Sequence, residues 1–429
     1  MTLLTFSELG VSKKTCQILE KKGYQNPTDI QSIMIPAVLG SSDDIIAKAD
    51  TGTGKTGAFG IPLVDAIDLK NPIVQAIAIA PTRELASQVA KELTSYKGEA
   101  PIRIIELCGG QGMKQQIDAL KKITQPCVVV GTPGRILDHI NKKRLKLQDI
   151  SWLVIDEVDE MLNFGFKEDM DKIVSQTNPN RRTIILSATL PAFVKKVAKS
   201  YLNDPKELNC KKRDDQQPSI EQTYYKVNKI NKMKLLTRVI DGLLHFYGFV
   251  FCNTKREVDQ LSEQLVRLGY AAESMHGDLS QSQRNRALER FKSKQCDILV
   301  VTDVAARGID IKNISHVVNY SVPQNLEAYT HRIGRTGRAG QTGVAITFVK
   351  ESEFFRFKRI IKMQKNGILK KEVPTAQEVM ALKHERLINS VLDAKPSRFQ
   401  ADLAAKILGQ AEPQLAVAGL LKLRYSDFF

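Results

Sequence analysis

Short apolar, β-branched runs recur along the chain, each followed by a longer stretch with helical spacing. In the first half they are Asp44–Lys48, Ala76–Ala80, Arg103–Leu107, Cys127–Val130, Trp152–Asp156 and Thr183–Leu186. Helix-length segments such as Arg83–Tyr96 and Met113–Lys122 lie between them. Strands that are apolar throughout, rather than alternating, must be covered on both faces. The pattern therefore predicts a parallel sheet flanked by helices. It breaks at residues 204–219, DPKELNCKKRDDQQPS, which are polar and Pro-flanked like a linker. It resumes with strands Phe249–Cys252, Ala271–Met275, Ile298–Val301, His316–Asn319 and Val344–Val349, and with helices such as Glu257–Leu268 and Gln283–Lys292. Beyond residue 372 the strands stop. Thr375–Leu392 and Ser397–Leu423 have helical period, and Pro413 is placed to open a final helix. The expected architecture is α/β, with one domain over 1–206, a linker over 207–218, a second domain over 219–372 and a helical tail over 373–429.

Charge narrows the partners. The 429-residue chain has a net charge of +16, and the tail from residue 374 carries only +1 of it. The excess points to an anionic partner, nucleic acid before a membrane surface. Phe355–Lys371 alone holds seven cations and no acid. The six cysteines form no CxxC pair. Scattered thiols and the absence of an 18-residue apolar run fit a cytoplasmic protein that does not span a membrane.

Candidate chemistry starts at Ala49-Asp50-Thr51-Gly52-Thr53-Gly54-Lys55-Thr56, between a strand and a helix. This is the spacing of a phosphate-binding loop, with Ala49 in the first glycine's place. Glycines let several N–H groups converge on a phosphate, and the following helix adds its positive end. Lys55 can reach the β- and γ-phosphates, and the Thr56 hydroxyl can ligate Mg²⁺. The run SWLVIDEVDEM supplies the second acidic strand. Alone, its four acids would suit a helix start. Beside a phosphate loop, Asp156 suits the metal, and Glu157 suits a base that takes a proton from the attacking water. The guanine-reading Asn-Lys-x-Asp segment of GTPases is missing. The second half carries Arg332, Arg335 and Arg338 interleaved with glycines, a spacing that suits phosphate contact rather than core burial.

These strings, in this order from Phe6 to about residue 350, resemble a DEAD-box RNA helicase of superfamily 2. The resemblance rests on Gly23–Gln31, the loop at 49–56, Pro81–Leu85, Gly109-Gly110, Thr132–Arg135, Asp156–Asp159 and Ser187–Thr189. It continues with Phe251–Thr254, Gln281 with Arg284, Thr302–Asp310 and His331–Arg338. Two tandem RecA-like domains are implied, with an adenine-reading Q motif at 4–32. By resemblance Gln31 would bond the adenine edge, and Tyr24, backed by Phe6, would pack on the base. Asp310 would touch the ribose, and Arg335 and Arg338 would act on the γ-phosphate of ATP. Ser187, Thr189, Asp159 and His331 would couple hydrolysis to domain closure. Arg83, Gly110, Thr132 and Arg135, with Asn253, Arg284 and Thr302, would hold the RNA backbone. Two positions depart from the family: Asp29 stands where Pro is usual, and Val158 stands in place of Ala.

The implied function is an ATP-dependent RNA helicase that clamps single-stranded RNA across two domains and locally unwinds duplexes or remodels RNA–protein complexes. An ATP-dependent RNA clamp that unwinds little uses the same residues. The tail resembles, more faintly, the dimerisation module of some bacterial cold-shock-type DEAD-box helicases, which implies a homodimer. Packing of a helix pair on its own second domain fits the same pattern. Ribosome-assembly and RNA-decay partners both remain open.

Overall fold

The structure is a computed structural model. It describes the chain outside residues 1–3, 50–51, 111, 211–219, 228–230, 307–308, 310, 312–313, 338–341, 365–366 and 425–429. The first sheet comprises β1 (Ile45–Lys48), β2 (Val74–Ile79), β3 (Arg103–Leu107), β4 (Cys127–Gly131), β5 (Trp152–Ile155), β6 (Arg182–Ser187) and β7 (Lys206–Asn209). Its spatial order is β3-β4-β2-β5-β6-β1-β7, with every neighbouring pair parallel. The period of two sends successive residues to opposite faces. Ile45, Ala47, Ala76, Ala78, Val128 and Val130 join one core, and Ile46, Ile77, Ile79, Cys127 and Val129 join the other.

The second sheet comprises β8 (Ile220–Val227), β9 (Gly248–Cys252), β10 (Ala272–Met275), β11 (Ile298–Thr302), β12 (His316–Asn319), β13 (Gly343–Lys350) and β14 (Leu369–Lys371). It is also wholly parallel, in the order β10-β11-β9-β12-β13-β8-β14. Counted within its own sheet, this is the order of the first.

The strand β7 corrects the linker boundary. Glu207, Leu208 and Asn209 pair with Ile46, Ala47 and Lys48 rather than bridging domains. An edge strand buries one face only. Here Leu208 alone is buried, which is why the segment reads as polar linker.

Met233–Leu244 and Val373–Phe429 form a unit of their own. The helix Ala376–Leu392 is tied to the end of the helix Lys232–Gly242, which the sequence placed in the second domain. The Arg386 guanidinium donates to Asp241 O at 2.8 Å, Leu243 O at 2.7 Å and Gly242 O at 2.6 Å. It thereby serves carbonyls that a helix end leaves unpaired. Lys383 adds an ion pair to Asp241 at 2.6 Å. Pro413 opens the final helix, Pro413–Arg424, after Arg398–Leu408.

Candidate nucleotide and RNA site

The first half of the site is built at the end of β1. Gly52 and Gly54 adopt φ of 76° and 91°, a left-handed conformation that L side chains rarely take. A Cβ on Gly54 would also lie 2.8 Å from Gln31 Nε2. The loop delivers Lys55 and Thr56 to the first turn of the helix Lys55–Asp65, where both are buried. Lys55 Nζ has no hydrogen-bond partner, and burying such an ammonium is costly unless a ligand completes it. The Ala49 N–H donates to Ser187 O at 3.0 Å, fastening the loop to the end of β6. Asp50 and Thr51 lie outside the described residues.

The acids follow β5, next to β6 in the sheet. Asp156 is 3 % exposed, and its Oδ1 has no hydrogen-bond partner. Burial pushes its carboxyl up to about 7, against the pull of the Lys55 ammonium. A buried carboxylate oxygen and a buried ammonium, neither with a hydrogen-bond partner in the chain, together suit a divalent cation and a phosphate. Thr56 and Asp156 are the oxygen donors that would hold Mg²⁺. Glu157 has φ of 54°, in the left-handed region, and opens the short helix Val158–Asn163. A non-glycine residue held there is a sign of functional constraint. Val158 is fully buried in the core beside Ile155 and Met161.

Of the residues expected to couple hydrolysis to closure, Asp159, Ser187 and Thr189 meet. Asp159 Oδ2 accepts from the Thr189 N–H at 2.9 Å and the Thr189 hydroxyl at 2.8 Å. Ser187 Oγ donates to Thr189 O. Glu160, which the sequence left without a role, is buried with its Oε1 2.6 Å from His331 Nδ1 of the second domain. Four adjacent acids each needing a counterpart were the available signal, but nothing local named His331.

In the second domain Arg332 overturns the expectation that all three arginines suit phosphate contact. It is 1 % exposed. Its guanidinium pairs with Asp303 at 2.5 and 2.7 Å and donates to Ser321 O at 2.7 Å and Asn253 Oδ1 at 2.9 Å. It is a buried brace, fully used. Arg335 donates to Ile309 O at 3.0 Å and lines a small cavity with His331, Asp303 and Phe251. Arg338 and Asp310 lie outside the described residues.

The residues expected at RNA divide into two kinds. Arg83, Gly110 and Arg284 come together across the domains. Arg284 pairs with Glu84 at 3.0 Å, Arg83 donates to Gln281 Oε1 at 3.4 Å, and a Cβ on Gly110 would strike the Arg83 guanidinium. Arg135 donates to Gln116 at 3.1 Å, beside the turn where Thr132 begins the helix Pro133–Asn141. The Asn253 side chain donates to Val322 O at 3.2 Å and accepts from Arg332. Thr302 is buried and accepts from the Ala305 N–H. In the Q motif, Gln31 caps its helix by accepting from the Thr28 N–H at 2.9 Å and donates to Gly54 O at 3.2 Å. Tyr24 meets the Tyr96 ring edge-on, and Phe6 is buried in the first core.

Two parallel sheets of one strand order, the first carrying a phosphate loop with paired acids, define a P-loop ATPase of two α/β domains. Family models agree: a DEAD/DEAH box helicase model matches residues 28–197, and a helicase conserved C-terminal domain model matches residues 231–340. The DEAD-box ATP-dependent RNA helicase CshA of Geobacillus kaustophilus is 43 % identical over 98 % of this chain and 90 % of its own length. The chain belongs to the DEAD-box RNA helicases. Among solved structures, S. cerevisiae Dbp5 bound to RNA and ADP BeF3 matches with a TM-score of 0.79 at 30 % identity, covering 91 % of this chain and all of that one. A DEAD box protein from Methanococcus jannaschii is 42 % identical over 86 % of this chain and 99 % of its own, with a TM-score of 0.51.

Proposed function

We propose that the chain hydrolyses ATP between its two domains to close and reopen a clamp on single-stranded RNA. A clamp shaped for a bent single strand does not admit a continuous A-form duplex, so closing it pulls out a few base pairs locally. Lys55 binds the β- and γ-phosphates, Glu157 takes the proton of the attacking water, and Arg335 and Arg338 offset charge on the γ-phosphoryl oxygens. Mg²⁺, held by Thr56 and Asp156, supplies positive charge to the same oxygens when bound. Gln31, Tyr24, Phe6 and Asp310 select the adenine nucleoside. Asp159, Ser187, Thr189 and His331 relay the state of the phosphate site to the domain contact. Arg83, Gly110, Thr132, Arg135, Asn253, Arg284 and Thr302 hold the RNA sugar–phosphate backbone, which fixes position without reading sequence.

The observation that carries this reading is the contact of Glu160, beside the catalytic acids, with His331 of the arginine motif. It ties the hydrolytic site to the element that would sense it. Multiple-turnover RNA-stimulated ATPase accompanied by release of a short duplex is the expected result. A long-lived ATP–RNA complex with negligible strand release would replace the helicase with the clamp.

The tail supports a second part of the proposal, a homodimer. Phe399, Leu403, Leu408, Leu415, Val417, Leu420 and Leu423 are exposed on its last two helices, and an exposed apolar surface of this kind favours association. Sedimentation should give a dimer that Leu403→Glu with Leu420→Glu turns into a monomer. A wild-type monomer at micromolar concentration overturns this part.

A further inference from the structure

The helix Phe354–Met363 follows β13 and contains four cations and no acid. Phe357 and Ile360 bury one face of it. Phe355, Lys358, Arg359, Lys362 and Met363 are exposed, at positions i, i+3, i+4, i+7 and i+8, so they form one stripe. Phe355 is 73 % exposed, which is unusual for a phenylalanine with a core beneath its own helix. The Arg359 guanidinium lies over its ring, 5.2 Å from the centroid. Among the described residues, Lys358, Arg359 and Lys362 have no acidic partner. The helix's other cation, Arg356, is engaged with Glu353, Gln324 and Val322 O.

Its position matters. Val322 O accepts from both Arg356, at 3.3 Å, and Asn253, at 3.2 Å. The first turn of this helix is therefore within one shared acceptor of the segment expected at the RNA strand.

We infer that the stripe is an auxiliary RNA-binding track for nucleotides that flank the clamped segment. Lys358, Arg359 and Lys362 take phosphates, and Phe355 with Arg359 offers a platform for one unpaired base. A surface serving only solubility would mix both signs of charge and would not expose an aromatic ring. The inference rests on the RNA-helicase reading: once the core holds the strand, a weak flanking site acts at high effective concentration.

The test compares two single strands on the full chain: one of about 8 nucleotides, which the core alone can hold, and one of about 30. Lys358→Ala, Arg359→Ala and Lys362→Ala combined should weaken binding of the long strand about tenfold. They should lower its salt slope by about 2, since each lost phosphate contact removes about 0.7. Affinity for the short strand and ATPase stimulated by it should not change. Phe355→Ala should weaken the long strand roughly threefold to tenfold with an unchanged salt slope. Wild-type affinity and slope in the triple variant overturn the track, and so does an equal loss on both strands. If the wild-type chain shows no ATPase stimulation by the short strand, the helicase reading itself fails.

Discussion

The two sheets share one strand order, yet the loops at equivalent strand ends do different chemistry. In the first sheet β1 runs into the phosphate loop; in the second, β8 occupies that place and is followed by Asn228-Lys229-Ile230, with no glycine. In the first sheet β5 runs into Asp156 and Glu157. Its counterpart β12 ends at Asn319, whose amide donates to Thr347 and whose oxygen accepts from the Arg332 brace. The scaffold is the same, and on the proposed function the loops decide which half binds the phosphate and which half answers it.

The largest expected effect breaks the division from the second domain. Arg335→Ala should lower RNA-stimulated turnover roughly 10³-fold or more, as loss of a catalytic arginine does, with ATP binding little changed. Turnover within tenfold of wild type would remove its role at the γ-phosphate. The next prediction sharpens the contrast in stability. Burial at the start of β12 pushes His316 down to about 4, and its ring stacks on Phe246 at 5.4 Å. Because the folded value lies below the usual one of about 6.5, this neutral histidine stabilises the fold fully above that pH. That contribution, up to about 3 kcal/mol, is lost as pH falls toward 4. Thermal melts from pH 7 to 4.5 should fall, and His316→Gln should flatten that dependence; parallel curves would contradict it. A smaller effect joins the halves. A double-mutant cycle of Glu160→Ala and His331→Ala should show coupling of about 1–2 kcal/mol in RNA-stimulated ATPase. Strict additivity would mean the contact is passive. The smallest change in turnover belongs to Val158→Ala. It removes buried methyls and should cost roughly 1–3 kcal/mol of stability, with ATPase changed less than tenfold. A rise beyond tenfold would make the valine a throttle.

Strands buried on both faces, such as Cys127–Gly131 and Gly248–Cys252, were legible because they are apolar throughout; Arg103–Leu107 and His316–Asn319 agree to the residue. The strands that escaped were polar. In β7 and β14 nearly every side chain is exposed, as suits an edge. In β8 the buried Gln222 is satisfied by the Tyr329 hydroxyl, a partner 107 residues away. The site follows the same rule. Lys55, Thr56, Asp156 and Glu157 carry their roles in local spacing. Arg332 and Glu160 do not, because a buried charge is explained only by partners that the chain brings from elsewhere. A short run of glycines and arginines reads as phosphate-facing until Asp303, Asn253 and Ser321 converge on one of them.

On the proposed function Glu157, just beyond the end of β5, supplies the base while the opposing domain supplies the positive charge. The most direct measurement is single-turnover ATP hydrolysis by full-length Glu157→Gln in saturating RNA, alongside ATP-dependent RNA binding. Binding of both partners should survive, and hydrolysis should fall by roughly 10²–10⁴. Hydrolysis within a few-fold of wild type would contradict it.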